Sequence, residues 1–205
     1  MQTQRIAAWV VAGVATALLM AGCQVDSHKN GNSDNVKIAT PFGGLQVKTN
    51  DSAVLADMGL PAYPGAQSVK KDNDNGAADV NMSFGSFQLR VKAASYRTSD
   101  PPSKVESFYR DGLKRYGDVI ACRNHRPDGT PTRTFQGLTC DSDHEGRINV
   151  DDNHGKNELQ LKTGSKRHQR IVSIEPEGGG TKFGLVVLDL PGKMTSDDKE
   201  GEGTE

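Results

Sequence analysis

Between Pro101 and Tyr116 the side chains Val105, Phe108, Tyr109, Leu113 and Tyr116, with Gly112 among them, fall on one helical stripe. Spacing of i, i+3, i+4, i+7, i+8 and i+11 makes an amphipathic helix that needs an apolar surface to cover. Asp100 is a natural N-cap with Pro101 at the first helical position, and Gly117 ends the run. No second helix of that length is available to face it. A short one, capped by Asp51 or Ser52, would carry Val54, Leu55 and Met58 and close at Gly59. The surface it covers must therefore be a sheet.

Strand patterns are plentiful. Val80, Met82 and Phe84 alternate with Asp79, Asn81 and Ser83, and Phe87, Leu89, Val91 and Ala93 alternate with Gln88, Arg90 and Lys92. Two such runs across Gly85-Ser86 predict a hairpin. Residues 36–49 read as extended chain folded about Gly43-Gly44, and Pro61, Pro64 and Gly65 stop regular structure after the short helix. Further strands are expected over 118–122, 133–140, 147–151, 158–162, 170–175 and 182–190. With 23 glycines, 9 prolines and 34% hydrophobic residues in 205, short strands and turns outweigh helix. The expected fold is α+β: an antiparallel twisted sheet with one long amphipathic helix packed on one face, in a single domain over 36–192.

The ends read differently. Met1–Arg5 carries one positive charge, and Ile6–Met20 carries none. A helix over Ile6–Met20 would be about 22 Å long, short of the ~30 Å hydrocarbon core, so a cleaved signal peptide over 1–22 is favoured over a membrane span. Residues 23–35 are polar and read as a flexible tether with a reach of roughly 20 Å; 193–205 read as a disordered tail.

Leu19-Met20-Ala21-Gly22-Cys23 resembles the lipobox of bacterial lipoproteins, with Met20 where Leu is usual. The resemblance implies diacylglycerol transfer to the Cys23 thiol, cleavage after Gly22 and acylation of the new amino terminus by palmitate-class chains. Several acyl chains anchor far more firmly than one. Gln24 rather than Asp after the cysteine implies the outer membrane, facing the periplasm. The alternative is an ordinary secreted protein cut at the same small residues.

Thr40-Pro41-Phe42-Gly43-Gly44-Leu45, Leu60-Pro61-Ala62-Tyr63-Pro64-Gly65-Ala66 and the stretch Tyr96–Gly117 resemble a group of uncharacterised exported bacterial proteins. In them a Tyr-Pro-Gly-Ala turn precedes a strand and an acidic cap opens a helix with a Phe-Tyr pair. These are turn and packing residues, and the resemblance implies no activity.

Two further cysteines, Cys122 and Cys140, form an even pair and are expected as a disulfide in an oxidising compartment. The rival is a tetrahedral zinc set with His125 and His144, which has the right ligand types but not the common Cys-x-x-Cys spacing. Residues 141–152 resemble an EF-hand calcium loop, with Asp141, Asp143, Glu145 and Asp152 as oxygen ligands and Gly146 at the sixth position. Its flanks read as strands and Asp152 is shorter than the usual Glu, so an acidic hairpin turn is the preferred reading. Lys162–Arg170 is a basic run, read as a charged hairpin tip in preference to a patch for lipid phosphate.

No Gly-x-Ser-x-Gly elbow occurs, and Gly178–Lys182 lacks phosphate-loop spacing. Formal charge is −1, from 25 basic and 26 acidic residues, which gives no field to attract nucleic acid. No cofactor is expected. The leading expectation is a non-enzymatic, lipid-anchored envelope protein that binds or assembles, with an envelope protein as partner. Behind it stand a periplasmic ligand-binding module using the open sheet face and, last, an exported hydrolase.

Overall fold

The computed structural model of the protein describes residues 23–30, 33–69, 76–85, 87–141 and 158–190. The expected signal peptide, the disordered tail and most of the acidic loop lie outside the described residues. Among the described residues eleven strands are present: β1 (Gln24–Asn30), β2 (Ser33–Thr40), β3 (Gly43–Lys48), β4 (Gln67–Ser68), β5 (Ala77–Phe84), β6 (Phe87–Thr98), β7 (Val119–Arg123), β8 (Arg126–Pro127), β9 (Leu159–Gly164), β10 (His168–Glu177) and β11 (Gly180–Asp189). Two helices accompany them, α1 (Asp51–Met58) and α2 (Pro102–Lys114). The strands form one sheet in the order β1-β2-β3-β5-β6-β11-β10-β9-β7-β8, with β4 against β6. Every pairing is antiparallel. The protein is α+β and mostly sheet.

The hairpin about Gly85 has the register its alternation demands: Phe84 opposes Phe87, Met82 opposes Leu89 and Val80 opposes Val91. The core nevertheless lies on the other face of these strands. Val105, Tyr109 and Leu113 of α2 and Val54 and Met58 of α1 are buried against Leu161, Val172, Ile174, Phe183 and Leu185, and Ala94 and Ala77 continue that face. Each large apolar side chain so buried contributes about 1.5–3 kcal/mol. Tyr63 of the Tyr-Pro-Gly-Ala turn enters the same layer, its ring 5.0 Å from Phe108 and 5.7 Å from Phe183. Gly65, at φ 73°, gives the turn its left-handed residue.

Several expectations need correction. Residues 24–30, read as part of a tether, form β1, paired with β2 from Gln24 opposite Ala39 to Asn30 opposite Ser33. The template is β2, whose Val36 and Ile38 alternate with Lys37, so backbone pairing overrides a polar composition. The β2–β3 turn is Pro41-Phe42, with Thr40 opposite Gly43. Gly43 and Gly44 lie inside β3, where a Cβ on Gly43 would collide with the Ser83 carbonyl. Asn50, not Asp51 or Ser52, caps α1, its Oδ1 accepting from the Ala53 N–H at 2.9 Å. Pro101 is the N-cap of α2 and Asp100 caps nothing, because its carboxylate accepts from Tyr63 and Lys104 instead. Residues 133–140 are no strand; they make only the isolated bridges Arg133–Thr139 and Gly137–Ser165. The strand expected over 147–151 lies outside the described residues.

Candidate functional site

Cys23 sits immediately before β1, the outermost strand of the sheet, and its thiol is free and exposed. Nothing in the core depends on it. Cys122 and Cys140 are joined, with Cα atoms 5.5 Å apart. The zinc reading falls with that bond, since both sulfurs are consumed. His125 forms a two-residue turn with Asn124 between β7 and β8, both at positive φ (59° and 51°); His144 lies outside the described residues. Of the calcium set, Asp141 is exposed and accepts from the Thr139 hydroxyl at 2.5 Å, while Asp143, Glu145 and Asp152 lie outside the described residues. Among the described residues no cluster of His, Cys, Asp or Glu has metal-binding geometry.

The basic run does not make a patch. Lys162 is fully buried in β9, Gln169 is buried in β10, and only residues 165–168 form the turn. His168 Nδ1 lies 2.9 Å from the Asp189 carboxylate, and the Arg170 guanidinium stacks 3.7 Å above the Tyr116 ring. Register explains the split: a strand turns successive side chains to opposite faces, so one run of cations cannot share a surface.

No protein-family model, curated protein or solved structure matches this chain. Beside the sequence motif ending at Cys23, the geometry of the described residues bears on function.

That geometry includes a polar cavity of about 200 Å³ beside α1, on the helix side of the sheet and lined by Gln46, Lys48, Asp57, Asp79, Asn81, Arg90 and Lys92. Lys92 is the buried member. Its Nζ lies 3.5 Å from Asp57 and 3.9 Å from Asp79, and donates to the Asp57 carbonyl at 3.2 Å. A cation at the carboxyl end of a helix satisfies an orphan carbonyl and opposes the helix dipole. This Lys92 pin, which holds α1 to the sheet, was missed in the sequence. The hairpin pairing that sets Phe84 opposite Phe87 also sets Asp79 opposite Lys92, so the opposed charges were a usable signal.

A second polar unit joins the turn to α2. The Tyr63 hydroxyl donates to Asp100 at 2.7 Å and Lys104 donates to the same carboxylate at 3.1 Å. These bonds, Tyr63 first, hold the Asp100 carboxyl below its usual range. Burial, then the Asp100 carboxylate, pushes the Tyr63 phenol up to about 12. Burial also raises Tyr109 and Tyr96. In all three the shift favours the neutral phenol.

Proposed function

We propose that the chain is a lipid-anchored bacterial envelope protein, held through Cys23 in the outer membrane on the periplasmic side, with a non-catalytic binding or assembly role. The observation that carries this reading is the sequence Leu19–Cys23 ending at an exposed thiol at the sheet's outer edge. Acyl chains there would disturb no packed side chain. The oxidised Cys122–Cys140 pair supports a compartment outside the cytosol. In this reading α2 is the one long helix packed on a sheet face, a permanent cover that leaves other surface to a partner. A ligand-binding module is the second reading, favoured by half-buried Val47, Val80 and Val91 on the sheet face away from the helices.

Mass spectrometry of the protein extracted from membranes tests the anchor. The expected amino terminus is Cys23 bearing a diacylglyceryl thioether and an amide-linked acyl chain, and Cys23→Ala abolishes both. A soluble chain that begins at Met1 with an unmodified Cys23 thiol overturns the proposal.

A further inference from the structure

Phe42, Phe84 and Val25 are three of the four large apolar side chains that stand exposed among the described residues, at 85%, 48% and 63%; the fourth, Phe135, is on the 122–140 loop. Strand register gathers these three at one end of the sheet. Gln24 opposes Ala39, Thr40 opposes Gly43, Gly43 opposes Phe84 and Phe84 opposes Phe87. The Gly85 N–H donates to the Phe42 carbonyl at 3.3 Å, which ties the two turns together. Cys23, one residue outside Gln24, is at this same end.

We infer that this aromatic end is a membrane-inserting tip, with Phe42 and Phe84 entering the acyl boundary of the leaflet that holds the lipid chains of Cys23. The inference rests on the lipid-anchor reading for its orientation and on the phenylalanines for its chemistry. The absence of charge at this end supports a lipid partner. Residues 39–44 and 83–88 contain no charged side chain. The first exposed cations, Lys37 and Arg90, lie three residues inward of the Thr40–Gly43–Phe84–Phe87 row, about 10 Å from the end at about 3.4 Å per residue, on a cross-strand row where Asp26 opposes Lys37 and Asp189 opposes Arg90. Interfacial elements bury their apolar groups about 5–10 Å deep, so the uncharged end can carry its rings to the acyl boundary while this charged row stays at headgroup level. A protein partner would more often be met by a mixed polar rim around such aromatics.

Fluorescence tests this in the full chain. Trp9 is the only tryptophan and lies in the leader, so Trp9→Phe with Phe42→Trp leaves a single reporter at the tip. Ser103→Trp, in the first turn of α2 beyond the far end of β6, gives the control, about 35 Å away along that strand at about 3.4 Å per residue. Each protein is expressed, purified from membranes and reconstituted into vesicles of phosphatidylethanolamine with a minority of phosphatidylglycerol. Acyl-brominated lipid is expected to quench the reporter at 42 by about half and to leave the reporter at 103 unchanged. Equal, weak quenching at both positions overturns the tip. The N-terminal mass is read on the same sample. Strong quenching at 42 on a chain with unmodified Cys23 keeps the tip and removes the anchor, while an acylated Cys23 with an unquenched reporter at 42 does the reverse.

Discussion

Reducing the Cys122–Cys140 bond is expected to cost about 3 kcal/mol of folding stability. The bridge closes a loop with a sequence separation of 18, and in the chain-entropy treatment opening a loop of that size frees about 3 kcal/mol in the unfolded chain. The loop has little else to hold it. Residues 123–133 are all exposed, and the small second core is Ile120, Leu138 and the two cysteines themselves. Polar contacts assist: the Thr134 hydroxyl donates to the Gly164 carbonyl at 2.7 Å, the Leu138 N–H to the Thr134 hydroxyl at 3.0 Å, the Phe135 N–H to Asp118 at 2.8 Å and the Asp128 N–H to the Ala121 carbonyl at 2.8 Å, among others. Urea unfolding followed by far-ultraviolet circular dichroism, with and without reductant, reads the loss directly. For a chain of this size the thermal midpoint is expected to fall by about 6–12 °C. Leu138→Ala sharpens the test: about 2–5 kcal/mol when oxidised, much less once the loop has been loosened by reduction. A midpoint unmoved by reductant refutes the idea that the bridge holds this segment, and additive losses refute the coupling.

Two other perturbations follow from the polar units. Lys92→Met leaves the largely buried Asp79 without its cation; removing one partner of a fully buried pair costs about 3–5 kcal/mol, and the 3.9 Å separation beside an open cavity lowers this to about 2 kcal/mol. Adding Asp79→Asn should restore most of that loss, and equal urea midpoints for the single and double variants would sink the ion-pair account. The Tyr63–Asp100 bond should make stability fall at both ends of the pH scale. Asp100, lowered in the fold, contributes stability that is present above its ordinary value of 3.8 and is lost as pH drops through the folded one. Tyr63, raised to about 12, contributes stability that is present below 10 and is lost between 10 and about 12. Tyr63→Phe should flatten both limbs in midpoint-versus-pH curves; unchanged limbs would place the pH dependence elsewhere.

The β5–β6 hairpin and the burial of Val105, Tyr109 and Leu113 were legible because each rests on a local period that no distant contact contradicts. Local capping was less legible. Asp100 has the right chemistry for a cap, but a tyrosine 37 positions earlier claims its carboxylate, and no spacing rule sees that far. The turn after Thr40 moved to Pro41-Phe42 because the crowding at Gly43 comes from β5, not from its own hairpin. The disulfide was legible from the even pair that Cys122 and Cys140 make, whereas the 133–140 segment mimicked a strand pattern without finding a partner strand. For the candidate site, the resemblance over Leu19–Cys23 comes from the sequence alone, and the gathering of Phe42 and Phe84 at one end of the sheet needed the strand register.

That gathering has a deeper origin in how apolar surface is distributed over the sheet. From β9 to β11 the aliphatic residues of the core point toward the helices, as Leu161, Val172 and Leu185 do. From β2 to β5 they point the other way, with Ile38, Leu45 and Met82 in one cross-strand row. The change of side occurs at β6 and β11, which carry apolar residues on both faces: Val91 and Ala94 in one, Leu185 and Val186 in the other. A strand apolar on both faces is the pattern of a central, doubly covered position. Here the helices cover one side of it and no described element covers the other. The N-terminal half of the sheet therefore presents an apolar face that runs into the Phe84–Phe87 end, and its polar face is held by Lys92 beneath α1. An anchor at Cys23 would bring that apolar edge against lipid, which is where uncovered aliphatic and aromatic surface is least costly to leave open.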